Sequence, residues 1–184
     1  MVIIQTCLST FTETSERAMT TKCIVYTRSD GGLAIVIPSP AYIAGWLAAN
    51  ADKTELDAIA HVQGKDVPPD ALNVWVEEAA NLPQSRAFRN CWREHETGGV
   101  KNIVVDMPLA RAQKMAEIRA ERNKRLAETD GLILRAKETG QAAQESRLAL
   151  ARQALRDLPA TVGLDTLATP EALEAFQPNW PVME

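Results

Sequence analysis

The chain has few of the features that mark secreted or membrane proteins. Its three cysteines, Cys7, Cys23 and Cys91, are an odd number without paired spacing, which does not predict a disulfide framework. Such a chain is typical of a reducing compartment, so we expect the cytoplasm. No apolar run is long enough to span a membrane. The apolar residues 1–8 lack a basic beginning and are too few for a signal peptide, so we expect no membrane partner.

Aromatic side chains are also scarce, at 5% of the chain, whereas hydrophobic residues reach 46%. This composition predicts an aliphatic, alanine-rich core, and 184 residues suffice for one domain or one domain with an appendage. Glycine pairs occur at Gly31-Gly32 and Gly98-Gly99, but neither belongs to a phosphate-binding pattern. We interpret both as turns and expect no cofactor.

No catalytic or metal-binding motif is visible. Cys91 and His95 are four residues apart and would share one face of a helix, but a structural zinc site needs four ligands. As a nucleophile and base, the pair lacks a residue to orient it. Glu77 and Glu78 are adjacent on a predicted strand and would point to opposite faces. We therefore expect a buried thiol, a surface histidine, no metal site and no enzyme.

A helical hairpin dominates the second half of the chain. Asp106 is a good N-cap and Pro108 fits a first helical turn, after which helix-forming residues run to Glu138. Gly140 suits the left-handed position that ends a helix. A return helix is predicted from about Gln141 to Arg156, stopped by Pro159.

Apolar residues at 3-4 spacing predict that the two helices pack as an antiparallel coiled coil. The facing seams are Leu126, Thr129, Ile133 and Ala136 on the first helix and Leu148, Ala151, Leu155 and Leu158 on the second. When the spacing of the first seam is continued towards the N-terminus, it reaches Arg122 and Arg119. Because both are charged, the apolar seam ends there. The apolar stripe Leu109, Ala112, Met115, Ala116 and Ile118 then needs another cover. We expect the small sheet to cover Leu109 and Ala112, and Ile118 with the arginines beyond it to stay available to a partner, including a second copy of the chain.

The first half predicts a small antiparallel sheet with short helices, which gives an α+β fold. Strands are expected at 22–28, 33–37, 72–77 and 100–105, with helices at 41–50, from Thr54 to about Val62, and at 85–92. Residues 1–21 are either an extension that is not native or include a first strand, Val2 to Cys7. The predicted divisions are 1–21, a small domain at 22–105, the hairpin at 106–158 and an acidic tail with one short helix at 159–184.

Charge is unevenly distributed along the chain. Residues 108–156 hold 11 basic and 6 acidic side chains, a net charge of +5, whereas residues 157–184 hold no basic and 5 acidic ones. Either the tail folds back on the hairpin or the hairpin binds an anionic partner. A regulator that binds nucleic acid is one alternative, which Glu117, Glu121 and Glu128 disfavour because they interrupt the basic face. Trp180, between Pro178 and Pro181, would pack on its own chain or dock on another.

Several segments resemble small tail-associated proteins of tailed phages and prophages. These are residues 23–32 (CIVYTRSDGG), 86–92 (RAFRNCW) and 105–111 (VDMPLAR). Residues 153–159 (QALRDLP) and the ending on Trp180-Pro181 are similar to the C-terminal part of phage tail fibre assembly proteins. Those proteins typically have an aromatic residue after the aspartate that corresponds to Asp130, where this chain has Gly131.

The resemblance implies a non-enzymatic protein that binds a tail fibre or baseplate protein. It would act as an assembly chaperone in the host cytoplasm, or remain in the virion as a structural component. The candidate partner-binding residues are Met115, Ile118, Arg119, Arg122, Arg125 and Trp180.

Overall fold

The computed structural model describes residues 22–182 and confirms the α+β organisation, with a small antiparallel sheet region, short helices and two long packed helices. The strands are β1 (Lys22–Thr27), β2 (Leu33–Val36), β3 (Leu72–Glu78), β4 (Trp92–Thr97) and β5 (Val100–Val105). The α-helices are α1 (Pro40–Ala49), α2 (Glu55–Asp66), α3 (Met107–Glu138), α4 (Ala142–Thr161) and α5 (Pro170–Ala175). The alternatives for residues 1–21 lie outside the described residues.

The predicted hairpin of β1 and β2 forms the beginning of a three-stranded antiparallel sheet in the order β2-β1-β3. Its turn is closed by Asp30, whose carboxylate accepts a hydrogen bond from the Gly32 amide at 2.9 Å, and Gly31 takes a φ of 77°. Because side chains alternate along a strand, Cys23 and Val25 of β1 face one core and Ile24 faces another.

Helices α1 and α2 cover the face of the sheet to which Ile24 points. Thr54 and Asp57 form a reciprocal capping box at the start of α2, as expected from an N-cap threonine. Helix α2 continues to Asp66, beyond the predicted end near Val62. Val62 itself packs into this core, and the helix ends only where Val67 takes an extended conformation.

The helix predicted at residues 85–92 does not form, and a second hairpin, β4 and β5, follows this segment. Only a 3₁₀ turn, Arg89–Cys91, is helical there, and Trp92 begins β4. The strand is polar after Trp92, so its own sequence gives little sign of it; pairing with β5 across the Gly98-Gly99 turn specifies it. The expectation that Cys91 and His95 share a helix face is therefore wrong, since His95 lies on a strand.

Helix α3 begins and ends as the sequence predicts. The Asp106 carboxylate accepts a hydrogen bond from the Leu109 amide at 3.0 Å. At the other end, Gly140 has a φ of 67° and its amide bonds to the Lys137 carbonyl, while the Gln141 amide bonds to the Ala136 carbonyl. This pair of hydrogen bonds is a Schellman motif, which reverses the chain into α4.

Helices α3 and α4 pack together along the predicted seams. The most buried seam residues are Thr129, Ala136, Leu148, Leu155 and Leu158. Ion pairs Asp130–Arg152 and Lys137–Glu145 join the helices in an antiparallel register. A coiled-coil geometry stays a prediction, and so do the divisions of the chain into domains.

Pro159 does not stop the return helix, contrary to the sequence prediction. Helix α4 runs through it to Thr161, and the Val162 amide closes the last turn on the Leu158 carbonyl. A proline removes one amide donor from a helix. Here Leu158 and Val162 pack into a core with Ile118, and this packing stabilises the extra turn.

After α4 the chain returns along α3 as a tail, residues 162–182, which contains the predicted short helix α5. Leu164 and Leu173 of the tail are buried with Ile118 and Ala110 of α3. Two expectations were therefore wrong: the sheet does not cover Leu109 and Ala112, which are exposed, and Ile118 is not available, being only 3% exposed. Within residues 22–182, no helix has the length and apolar character that crossing a membrane requires.

Candidate partner-binding cleft

A cleft of about 290 Å³ lies between α3 and the end of the tail; we call it the α3 cleft. Its helical wall comes from residues spaced three or four apart, which therefore lie on one face of α3. That wall consists of Lys114, Glu117, Ile118, Glu121 and Arg125. The opposite wall consists of Phe176, Gln177, Pro178 and Trp180.

Arg125 and Trp180 close one part of the cleft. The guanidinium carbon lies 4.4 Å from the centroid of the indole ring, a cation–π contact between the helix and the tail. The same guanidinium donates from Nε to Glu121 Oε1 at 3.0 Å, which holds it in place. Trp180 thus packs on its own chain, one of the two alternatives that the sequence left open.

Cations of α3 also attach the tail further along. Arg111 donates to the Leu167 carbonyl at 2.8 Å, and Lys114 donates to the Glu174 carbonyl at 3.1 Å. Among the described residues, no ion pair links the tail to the hairpin. The acidic tail therefore folds back on the basic hairpin, but the hairpin cations contact backbone carbonyls and an aromatic ring of the tail, not its carboxylates.

The structure brings only some of the candidate residues together. Ile118, Arg125 and Trp180 line the α3 cleft, and Met115 packs against the core beneath it. Arg119 is exposed and does not line the cleft. Arg122 donates to the side chain of the adjacent Asn123 at 2.9 Å and is not in the cleft either.

Sequence reasoning missed several residues of the cleft. Lys114, Glu117 and Glu121 share its wall, and their spacing relative to Ile118 and Arg125 could have indicated this. Phe176 and Pro178 could not be found in this way, because no periodicity predicts which face of α3 an irregular tail will contact.

The cysteine and histidine candidates do not line the α3 cleft. Cys91 is buried, 3.5 Å from Gln113 Oε1, and burial raises the pKa of its thiol. Burial also raises the pKa of the Cys23 thiol to about 11, so neither cysteine is activated as a thiolate. His95 is exposed on β4. Among residues 22–182, no group of three or more histidine, cysteine, aspartate or glutamate side chains could hold a metal ion.

Comparison with known families identifies the segment that contains the cleft. A family described as phage tail assembly chaperone protein matches residues 115–183. The match begins within α3 and includes α4, α5 and the end of the tail, but none of the strands. Comparisons with curated proteins and with solved structures give no match. The match confirms the predicted resemblance and supports a phage tail assembly-related family: from Met115 to residue 183, this chain is similar to phage tail assembly chaperone proteins.

Proposed function

We propose that this protein is a tail assembly chaperone that binds a tail fibre or baseplate protein in the host cytoplasm, and that it acts by binding, not by catalysis. One observation carries the proposal. The segment that matches the assembly chaperone family includes every residue lining the α3 cleft except Lys114, which directly precedes it.

The chemistry of the α3 cleft suits a protein partner. Tryptophan and arginine dominate the binding energy of protein interfaces, and Arg125 at the cleft already stacks on an indole ring, that of Trp180. The half-buried Phe176 supplies apolar surface, while Lys114 and Glu117 supply charges of both signs. Such a mixture fits a peptide segment better than a phosphate backbone, which attracts cations alone.

The surface next to the cleft extends the proposed interface. Arg119 is exposed on α3 one position beyond Ile118, and among the described residues it makes no ion pair. Arg122 is half-buried beside Asn123. We propose both arginines as contacts at the rim, where charged residues affect the rate of association more than the affinity. A second copy of the chain is the other partner that this surface could bind.

Co-expression tests the chaperone directly. A tail fibre gene from the same genome is expressed with and without the protein, and soluble trimeric fibre is measured by size-exclusion chromatography. We expect more soluble trimer in the presence of the wild-type protein. Arg125→Ala should reduce that gain, whereas Arg135→Ala, an exposed arginine of α3 outside the cleft, should preserve it. Unchanged fibre solubility and trimerisation in every case would overturn the chaperone proposal.

Mass spectrometry of purified phage particles distinguishes the chaperone from a virion component. A chaperone leaves the assembled tail, so we expect no stoichiometric signal from this chain. Its presence in fixed ratio to the tail proteins would identify it as a structural adaptor of the tail, fibre or baseplate instead.

A further inference from the structure

The last described residues of the tail, 177–182, form what we call the terminal segment. It forms neither helix nor strand, and among the described residues no hydrogen bond joins it to the rest of the chain. The residues before it are held more firmly, since the carbonyls of Leu167 and Glu174 accept hydrogen bonds from α3. The terminal segment is held by the burial of Pro178, by the packing of Trp180 against the core that contains Ile118, and by the stacking of Trp180 under Arg125.

The terminal segment shows which ligand chemistry the α3 cleft accepts. Its sequence, Gln-Pro-Asn-Trp-Pro-Val, carries no charge and has two prolines that favour an extended backbone. A proline is buried against the cleft two residues before an aromatic ring that meets a guanidinium. The segment forms one wall of the cleft, and about 290 Å³ stays open between it and α3.

We propose that the α3 wall of the cleft recognises a short, uncharged, extended segment with a proline two residues before an aromatic residue. The terminal segment occupies this site within the chain, and a segment of the same chemistry on the tail protein displaces it. This inference rests on the proposed function, and it specifies the chemistry of the segment by which the partner binds the chaperone. The terminal segment then competes with the partner for the site. The apparent affinity for the partner equals the intrinsic affinity multiplied by the fraction of time that the site is open.

A peptide-binding experiment on the full chain tests the inference. The probe is a fluorescent peptide with the sequence of residues 176–182, and binding is followed by fluorescence anisotropy. Trp180→Ala removes the ring that occupies the site, so this variant should bind the peptide at least about tenfold more tightly than the wild type. Trp180→Phe retains a ring under Arg125 and is the matched control, with binding close to that of the wild type.

Two further measurements define specificity. Binding to Trp180→Ala should be lost when Arg125→Ala is added, and also when the tryptophan of the peptide is replaced by alanine. Circular dichroism establishes that each variant is folded. No binding to folded Trp180→Ala, or binding that does not depend on Arg125, would overturn the inference.

Light scattering tests whether a second copy of the chain is the partner that occupies the cleft. The wild type would then form concentration-dependent dimers, and these would disappear in Trp180→Ala. That result would show that the terminal segment of another copy occupies the cleft, and it would contradict the proposal that a segment of a tail protein does. The peptide assay contains no tail protein, so its failure is distinguishable from failure of the chaperone proposal. A chaperone that raises fibre solubility without binding the peptide would retain its function and lose only this recognition site.

Discussion

Ile118 shows what spacing can and cannot predict for a single residue. Helical spacing places it on one face with Met115, and that face was expected to continue as a free surface. In the structure Ile118 is 3% exposed and packs with Leu158 and Leu173, whereas Leu109 is 40% exposed. The period of a helix determines which of its residues are neighbours, but the residues that cover them are about 40 to 55 positions away in the sequence.

Ile118→Asp is expected to unfold the protein or to lower its free energy of unfolding by several kcal/mol, because it places a carboxylate in an apolar core. Thermal denaturation followed by circular dichroism measures the change. Leu134→Asp, on the same helix but 58% exposed, is the control and should change stability by about 0.5 kcal/mol or less. A cooperative melt of Ile118→Asp at the wild-type temperature would contradict the burial of this side chain.

Among the elements, the two long helices were the most predictable and β4 the least. Two apolar seams and a glycine at the left-handed position suffice to predict α3, α4 and their packing, because the turn forces neighbouring helices together. The end of α4 was mispredicted, since packing of Leu158 and Val162 outweighs the donor lost at Pro159. Strand β4 has no such local signal, as its polar sequence becomes a strand only by pairing with β5.

Leu155→Ala tests the seam between α3 and α4. Leu155 is fully buried, so truncation should cost about 2 to 5 kcal/mol of stability through lost apolar contact and a residual cavity. Urea denaturation gives the change in the free energy of unfolding. Leu150→Ala lies on the same helix, 73% exposed, and should have little effect. Equal losses for the two variants would mean that the seam does not lie where the structure has it.

At the scale of the whole molecule, one hydrophobic cluster joins the two halves of the chain. Phe88 and Cys91, from the segment before β4, are buried with Ala110 of α3 and Leu173 of the tail. Val105 of β5 packs against this cluster and also against the core beneath β1. The periodicity of the sequence predicts the secondary structure of each half separately. It contains no local sign of the contacts between the halves, because those contacts depend on tertiary packing.

This shared cluster predicts that the described part of the chain unfolds as one unit. Phe88→Ala should cost about 3 to 5 kcal/mol, because a fully packed aromatic ring is lost from the point where the halves meet. Hydrogen exchange followed by mass spectrometry should then show faster exchange of core amides in β1 and in α4 by a similar factor, since both exchange through the same global opening. Leu72→Ala, at an exposed position of β3, should leave both rates unchanged. If Phe88→Ala accelerated exchange in β1 alone, the hairpin with its tail would open independently, and the predicted division between residues 105 and 106 would be a boundary between separately stable units.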